Sequence, residues 1–405
     1  MTPASPGAEA PPPAATGVLV RFGTLSFCYF AAIGLFNPYA PLWFQSLGYS
    51  TLLIGAISAL QSVTRLFAPY AWSWSGDHSG RRAELIRLAA FGALLSALAL
   101  LGVEAALPVA VVTLCMFLAN SGVVPLSEAL LSQLLHMPGG GIDSARYGRV
   151  RVWGSIGFIA AAASFGVLLE WTGIAIFPAF VAAMNALLLL AALRLPATHT
   201  AAVHDEPAPP VLPLLRRPEV AWFFASIFFT VLAHTSLYAF FSLYLVSLGY
   251  GKWTVGALWA VSVGVEIVFF WTQGRWFPLL SPRRWLEAVA AVTTLRFVAT
   301  AWGGAWAPVL VLAQLTHAIT FAAHHAACIA LVHQLFPGRL RGRGQALYTM
   351  LGYGISGVLG GLGGGWLISK LGFAAVFWAA AACGCAAWFC ARRAGPGLTL
   401  AQASQ

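Results

Sequence analysis

The chain has 405 residues, 60% of them hydrophobic and 8% charged, with a net charge of +10. Soluble domains carry roughly 25% charged residues, so a chain this apolar cannot cover a water-facing surface, and lipid is its solvent. Apolar runs of about 20 residues cross a ~30 Å hydrocarbon core as helices, and they lack the alternation of barrel strands.

Residues 1–17 are rich in Pro and Ala and hold no basic residue. They do not fit the charged start of a cleavable leader and read as a disordered cytoplasmic tail, with the first span retained. Spans are expected at 20–45, 51–75, 84–103, 107–135, 148–169 and 174–194, all within a first bundle at 18–195. A second bundle at 219–392 holds spans at 219–247, 253–274, 285–303, 308–335, 344–369 and 372–391. Between them, 196–218 carries Pro196, Pro207, Pro209, Pro210 and Pro213 and reads as a cytoplasmic linker. Residues 393–405 form a cytoplasmic tail.

The loops alternate in charge. One set holds the arginines, among them Arg81, Arg82, Arg146, Arg149, Arg216, Arg217, Arg283, Arg284, Arg341, Arg343, Arg392 and Arg393; the other holds Lys252 and Lys370. By the positive-inside rule the arginine loops and both termini are cytoplasmic. The positive charge is therefore a topology signal, and a nucleic-acid partner is excluded. All six cysteines lie inside spans without metal spacing and read as apolar filler.

Ser46-Leu47-Gly48-Tyr49 recurs as Ser247-Leu248-Gly249-Tyr250, an offset of 201 that also pairs Gly55 with Gly256 and Ala59 with Ala260. Parallel repeated halves are a transporter architecture with the substrate site between them near the midplane.

Ionisable residues inside spans cost on the order of 2.5–3.5 kcal/mol each and mark function. Here they are Arg65, Glu128, Arg151, His234, Glu266, Arg296, His317, His324 and His325. Glu128 and Arg151 sit in the inner halves of consecutive spans and should pair, with Phe158 on the Arg151 face. Arg65 and Glu266 differ by the same 201 and should face each other across the halves. Otherwise Glu266 pairs with Arg296 or a histidine. His317 and His324, seven apart, should share one face with Phe321. No carboxylate accompanies these histidines on their helix, and a zinc site is not expected there. The glycines at 352–365 lack a Lys-Ser/Thr ending, so they are not a phosphate loop but suit close helix packing. No nucleotide-binding sequence points to ATP-driven transport.

Gly76-Asp77-His78-Ser79-Gly80-Arg81-Arg82 resembles the loop signature of the major facilitator superfamily, with His78 where a basic residue is usual. Tyr147-Gly148-Arg149-Val150-Arg151-Val152-Trp153-Gly154-Ser155-Ile156-Gly157-Phe158 resembles the start of helix 5 in the phenylpropionate permease family, relatives of lactose permease. Pro125-Leu126-Ser127-Glu128-Ala129 is similar to the acidic motif of helix 4 in that group. The resemblance covers most of 20–390.

It implies an all-α membrane protein of major facilitator fold, with twelve transmembrane helices in two pseudo-symmetric six-helix bundles. Its cavity would be lined mainly by spans 1, 4, 7 and 10. Asp77, Gly80, Arg81 and Arg82 would form the conformational loop. Substrate would meet Glu128, Arg151, Phe158, Tyr29, Arg65 and His234, with Trp153 also available to pack a ring. Glu266, Arg296 and His317 would handle protons as in those relatives, and His324 and His325 join them because histidines titrate near neutrality. Relatives carry an acid three residues after the histidine; this chain has Thr320 there, so another group must titrate. The function implied is proton-coupled uptake of a small organic solute such as an aromatic carboxylate. No cofactor beyond a proton gradient and no metal is implied. The partners are a small molecule, protons and the bilayer, for a monomer in a bacterial inner membrane. Alternatives are a sugar or nucleoside symporter, a proton-driven drug exporter, or a non-transporting sensor or scaffold.

Overall fold

The computed structural model describes residues 16–137, 142–196 and 211–403. Residues 1–15 of the expected N-terminal tail and most of the linker lie outside these residues, while Thr16 and Gly17 already belong to the first helix. The first bundle contains α1 (Thr16–Ser46), α2 (Thr51–Ser79), α3 (Arg82–Gly102), α4 (Ala106–Leu134), α5 (Ser144–Thr172) and α6 (Ile174–Leu193). The second contains α7 (Pro218–Ser247), α8 (Lys252–Leu279), α9 (Pro282–Gly303), α10 (Ala307–Leu335), α11 (Arg341–Leu371) and α12 (Phe373–Ala403). The tail expected from 393 is thus helical through Ala403.

Eleven of these helices are long and apolar enough to cross a membrane. The other, α9, has 22 residues, about 33 Å at 1.5 Å per residue. It falls short in apolarity because it carries Arg283, Arg284, Glu287 and Arg296. Exposed tryptophans gather near both helix ends: Trp171, Trp253, Trp302 and Trp306 at the lysine end, Trp74, Trp271 and Trp276 at the arginine end. Such belts mark the two membrane–water interfaces.

The bundles meet through α2 on α11 and, by the pseudo-twofold, α5 on α8. The repeated glycines explain how. A Cβ on Gly55 would strike the carbonyl of Gly361 on α11, and one on Gly256 would strike the carbonyl of Ala162 on α5. Each glycine lets two backbones touch at the lysine end. An aromatic ring 201 residues from its counterpart seats on each junction: Tyr39 beside Gly166 and Gly256, Phe240 beside Gly55 and Gly364. Tyr39 alone carries a hydroxyl, which donates to the Ala162 carbonyl at 2.6 Å. The Glu170 carboxylate accepts from the Lys252 amide at 2.5 Å, tying α5 to the start of α8.

The buried cores follow the same division. At the lysine end one core unites both bundles, from Leu35 and Ala162 to Phe240 and Phe377. At the arginine end there are two, one built on Phe22, Ile86 and Leu188, the other on Phe223, Leu331 and Phe336. The molecule is sealed at the lysine end and parted at the arginine end.

Four helices lose regularity at mid-depth. α2 breaks between Thr64 and Ala68, just ahead of Pro69, and α4 between Asn120 and Val123, ahead of Pro125. α10 passes through a π-helical stretch at Ala318–Ala323 and α11 through another at Tyr348–Ile355. Proline cannot continue the ladder, and π turns concentrate at functional sites.

Candidate functional site

A cavity of about 310 Å³ lies between the bundles. It is lined from α1 by Asn37, from α2 by Gln61 and Arg65, from α5 by Arg151 and Phe158, from α7 by Tyr238, from α8 by Trp259 and Glu266, from α10 by His317 and Phe321, and from α11 by Tyr353. Spans 2, 5, 8 and 11 therefore line it alongside 1, 4, 7 and 10, more broadly than expected. α4 contributes Phe117.

The first bundle supplies an open ion pair. Arg151 Nε lies 3.6 Å from Glu128 Oε1, with both side chains about 40% exposed. The Arg151 guanidinium also sits 4.5 Å from the Phe30 ring centre. Glu128 faces a smaller adjoining hollow of about 30 Å³, which it shares with Tyr29 and Tyr147. Phe158 is one cavity wall, its ring 6.1 Å from that of Trp259 across the α5–α8 junction. Trp153 lies beside Gly23 of α1 and is not among the cavity-lining residues.

The second bundle supplies a sealed network. Arg296 is 2% exposed. It donates to His317 Nδ1 at 2.7 Å, Thr320 Oγ1 at 2.8 Å and Gln314 Oε1 at 2.9 Å. His317 Nε2 lies 2.8 Å from Glu266 Oε1. A guanidinium has no acceptor, so Nδ1 accepts and the ring proton is on Nε2, donated to Glu266. In this arrangement His317 is a neutral bridge between a buried cation and a carboxylate. Thr320, at the position of the relatives' acid, is a hydroxyl that accepts from Arg296.

Arg65 and Glu266 face the same cavity, but the carboxylate partner is His317. Among the described residues Arg65 has no ion pair or hydrogen bond, and its guanidinium lies 6.0 Å from the Tyr353 ring centre. It sits in the α2 break, where the chain is not committed to helix on both sides. Glu128 offsets Arg151, and Glu266 offsets Arg296 through His317. Among the described residues that leaves Arg65 as the one uncompensated cation in the cavity.

Two histidines are placed differently from their expected positions, His234 at the substrate and His324 on the His317 face. His234 lies behind His317, 6.0 Å ring to ring, with Nδ1 on the Thr230 carbonyl at 2.8 Å, and is not among the cavity-lining residues. His324 does not share the cavity face of His317 and Phe321; it is buried and lies 3.3 Å from Cys328 Sγ. The π stretch between them inserts a residue per turn and rotates everything after it. His325 Nδ1 instead meets the Tyr348 hydroxyl at 3.1 Å.

In the loop motif, Arg82 is buried and its Nη2 pairs with Asp77 Oδ1 at 2.6 Å. Gly80 between them has φ +66°, a left-handed turn that glycine adopts without strain. Arg81 points outward, 3.7 Å from Glu84.

Trp259, Tyr238, Tyr353, Asn37 and Gln61 were not singled out from the sequence. Asn37 and Gln61 carry a usable signal, as amides inside apolar spans. The aromatics carry none, since lipid-facing and cavity-facing rings read alike.

Two bundles, a shared lysine-end core and a charged central cavity define a membrane transporter of major facilitator fold rather than an enzyme. The chain belongs to the MFS_1 like family, which it matches over residues 19–379. It is 26% identical to the "Probable 3-phenylpropionic acid transporter" of Escherichia coli (strain K12), over 87% of this chain and 91% of that one. It is 28% identical to the "Maltose permease" of Geobacillus stearothermophilus, over 88% and 89%. Among solved structures, the nucleoside transporter NupG (D323A mutant) superposes with a TM-score of 0.82 at 17% identity, covering 93% of this chain and all of that one. That likeness is one of fold.

Proposed function

We propose that this protein imports a small organic anion together with a proton across a bacterial inner membrane, by alternating access. The observation that carries the reading is Arg65, the cavity cation without a carboxylate partner. A carboxylate bonded to a guanidinium is a strong, geometrically specific pair, and more so away from water. The rings of Phe158, Trp259, Tyr238 and Phe321 line the same space and suit an aromatic body. An aromatic carboxylate such as 3-phenylpropionate meets both demands, in keeping with the Escherichia coli relative.

On this reading the arginine end is cytoplasmic, with both termini on that side. The structure then corresponds to an inward-facing state, with Gly55 and Gly256 closing the outer gate. Glu266, bridged to Arg296 by His317, is the exchangeable carboxylate in place of the acid missing at Thr320. The protein acts as a monomer, and the proton gradient is its only energy source.

A sugar is the second reading. Asn37 and Gln61 offer both donors and acceptors to hydroxyls, and Glu128 lies within the adjoining hollow. The test is uptake into proteoliposomes under an imposed pH gradient, with labelled 3-phenylpropionate and maltose in parallel. Accumulation of the carboxylate, abolished by Arg65→Gln, supports the anion reading. Accumulation of maltose alone replaces it with the sugar reading.

A further inference from the structure

Tyr348 and Tyr353 are five residues apart, a spacing that an ordinary helix places on different faces. The π stretch Tyr348–Ile355 has five-residue hydrogen bonding and brings them together, with their hydroxyls 3.1 Å apart. The Tyr348 hydroxyl is also 3.1 Å from His325 Nδ1. Tyr353 lines the cavity, with Arg65 over its ring. Two irregular helices thus join a half-buried histidine to the cavity through two phenols.

We propose that His325, Tyr348 and Tyr353 form a reversible hydrogen-bond chain that couples proton binding at His325 to anion binding beside Arg65. This rests on the anion reading of the cavity. With Nδ1 of His325 bare, Tyr353 donates to Tyr348 and Tyr348 donates to Nδ1. Tyr353 then presents only lone pairs to the cavity, which repel a carboxylate.

A proton arriving at the Tyr353 oxygen reverses the order. Tyr353 passes its own proton to Tyr348, Tyr348 passes its own to Nδ1, and His325 becomes the imidazolium. Nδ1–H now donates to Tyr348, Tyr348 donates to Tyr353, and Tyr353 points the arrived proton into the cavity. One proton has entered, none is left over, and the phenol facing the anion has become a donor. Loss of the proton runs the same steps backward. Both ring nitrogens of an imidazolium are donors, so the protonated state permits only this second order.

The groups facing the chain fit a linked pair of ligands. Arg151 from α5 acts on His325. Arg65 from α2 and Glu266 from α8 act on Tyr353, and Tyr238 from α7 acts on Tyr348. His324 and Cys328 adjoin on α10. A charged His325 adds a cation beside Arg65 and Arg151, and a bound anion relieves it. Proton and anion each strengthen the other's binding, as linkage requires. His325 and Tyr348 are positioning residues here, since neither touches the substrate.

The test uses the full chain in nanodiscs with Cζ-labelled tyrosine and labelled histidine, read by NMR against pH. Tyr353→Phe and His325→Gln assign the two signals. Without any substrate, the Tyr353 signal is expected to follow the His325 titration in the wild type and to stay flat in Tyr348→Phe. A wild-type Tyr353 signal that ignores the His325 titration overturns the proposal. Next, 3-phenylpropionate affinity should rise about five- to tenfold as the pH falls through the His325 titration read by NMR, the worth of one added hydrogen bond. The part of that rise that runs through His325 should be lost in Tyr348→Phe and in His325→Gln, leaving only the dependence that Glu266 contributes. A full pH response in both variants also overturns the proposal. Should Tyr353 follow His325 while no aromatic carboxylate binds, the chain stands and the carboxylate reading falls.

Discussion

The two bundles share a fold and a repeat yet handle charge in opposite ways. In the first, Glu128 and Arg151 form a loose pair, 3.6 Å apart and about 40% exposed on each side. In the second, Arg296 is wholly enclosed, bonded to three side chains and linked through His317 to Glu266. An exposed pair contributes little to stability and can be rearranged cheaply. A buried cation with its partner removed cannot find water, so its network is rigid. The lesson is that pseudo-symmetry preserves backbone contacts, as at Gly55 and Gly256, while leaving the charges free to diverge. One half is built to change partners and the other to hold them.

The contrast can be broken most forcefully at Arg296. Arg296→Leu leaves Glu266 and His317 enclosed without their cation and should destabilise the protein by about 3–5 kcal/mol. Thermal unfolding in detergent measures this, and a wild-type Tm would show that the network is not structural. Glu266→Gln keeps the hydrogen bond from His317 and should cost far less stability. It should nonetheless abolish pH-driven accumulation while substrate exchange continues, if Glu266 carries the proton.

At Arg65 the expected effect falls on binding rather than folding. Losing one charge-assisted bond of about 1.5–3 kcal/mol weakens an aromatic carboxylate roughly 10- to 150-fold in Arg65→Gln. Quenching of Trp259 fluorescence on titration gives the affinity, and equal affinities would exclude Arg65 from the site. The smallest stability change is predicted for Glu128→Gln, within about 1 kcal/mol for so exposed a pair. A loss as large as that of Arg296→Leu would erase the distinction between the bundles.

Much of this was legible in advance. Hydropathy, the arginine loops and the 201-residue repeat are properties of composition and order, so the spans and halves followed from them, while the family followed from the resemblance at Gly76–Arg82 and Tyr147–Phe158. The Glu128–Arg151 pair was legible because two opposite charges on consecutive spans have few other partners. The Arg65–Glu266 expectation placed both residues on one cavity, but the stated alternative, Glu266 on a histidine, is the one the structure shows, with His317. His317 and Glu266 meet through side-chain reach, which no offset encodes. His324 was assigned the wrong face because a uniform helical period was extended through Ala318–Ala323.

The sequence by itself determined the solvent, the number of crossings and the duplicated plan, since each is summed over many residues and tolerates local error. Only the tertiary structure decided which cation is left free, which histidine reaches the cavity and which two tyrosines touch. Those outcomes turn on single helix breaks and π turns, where competing backbone geometries differ little in energy and packing between helices makes the choice.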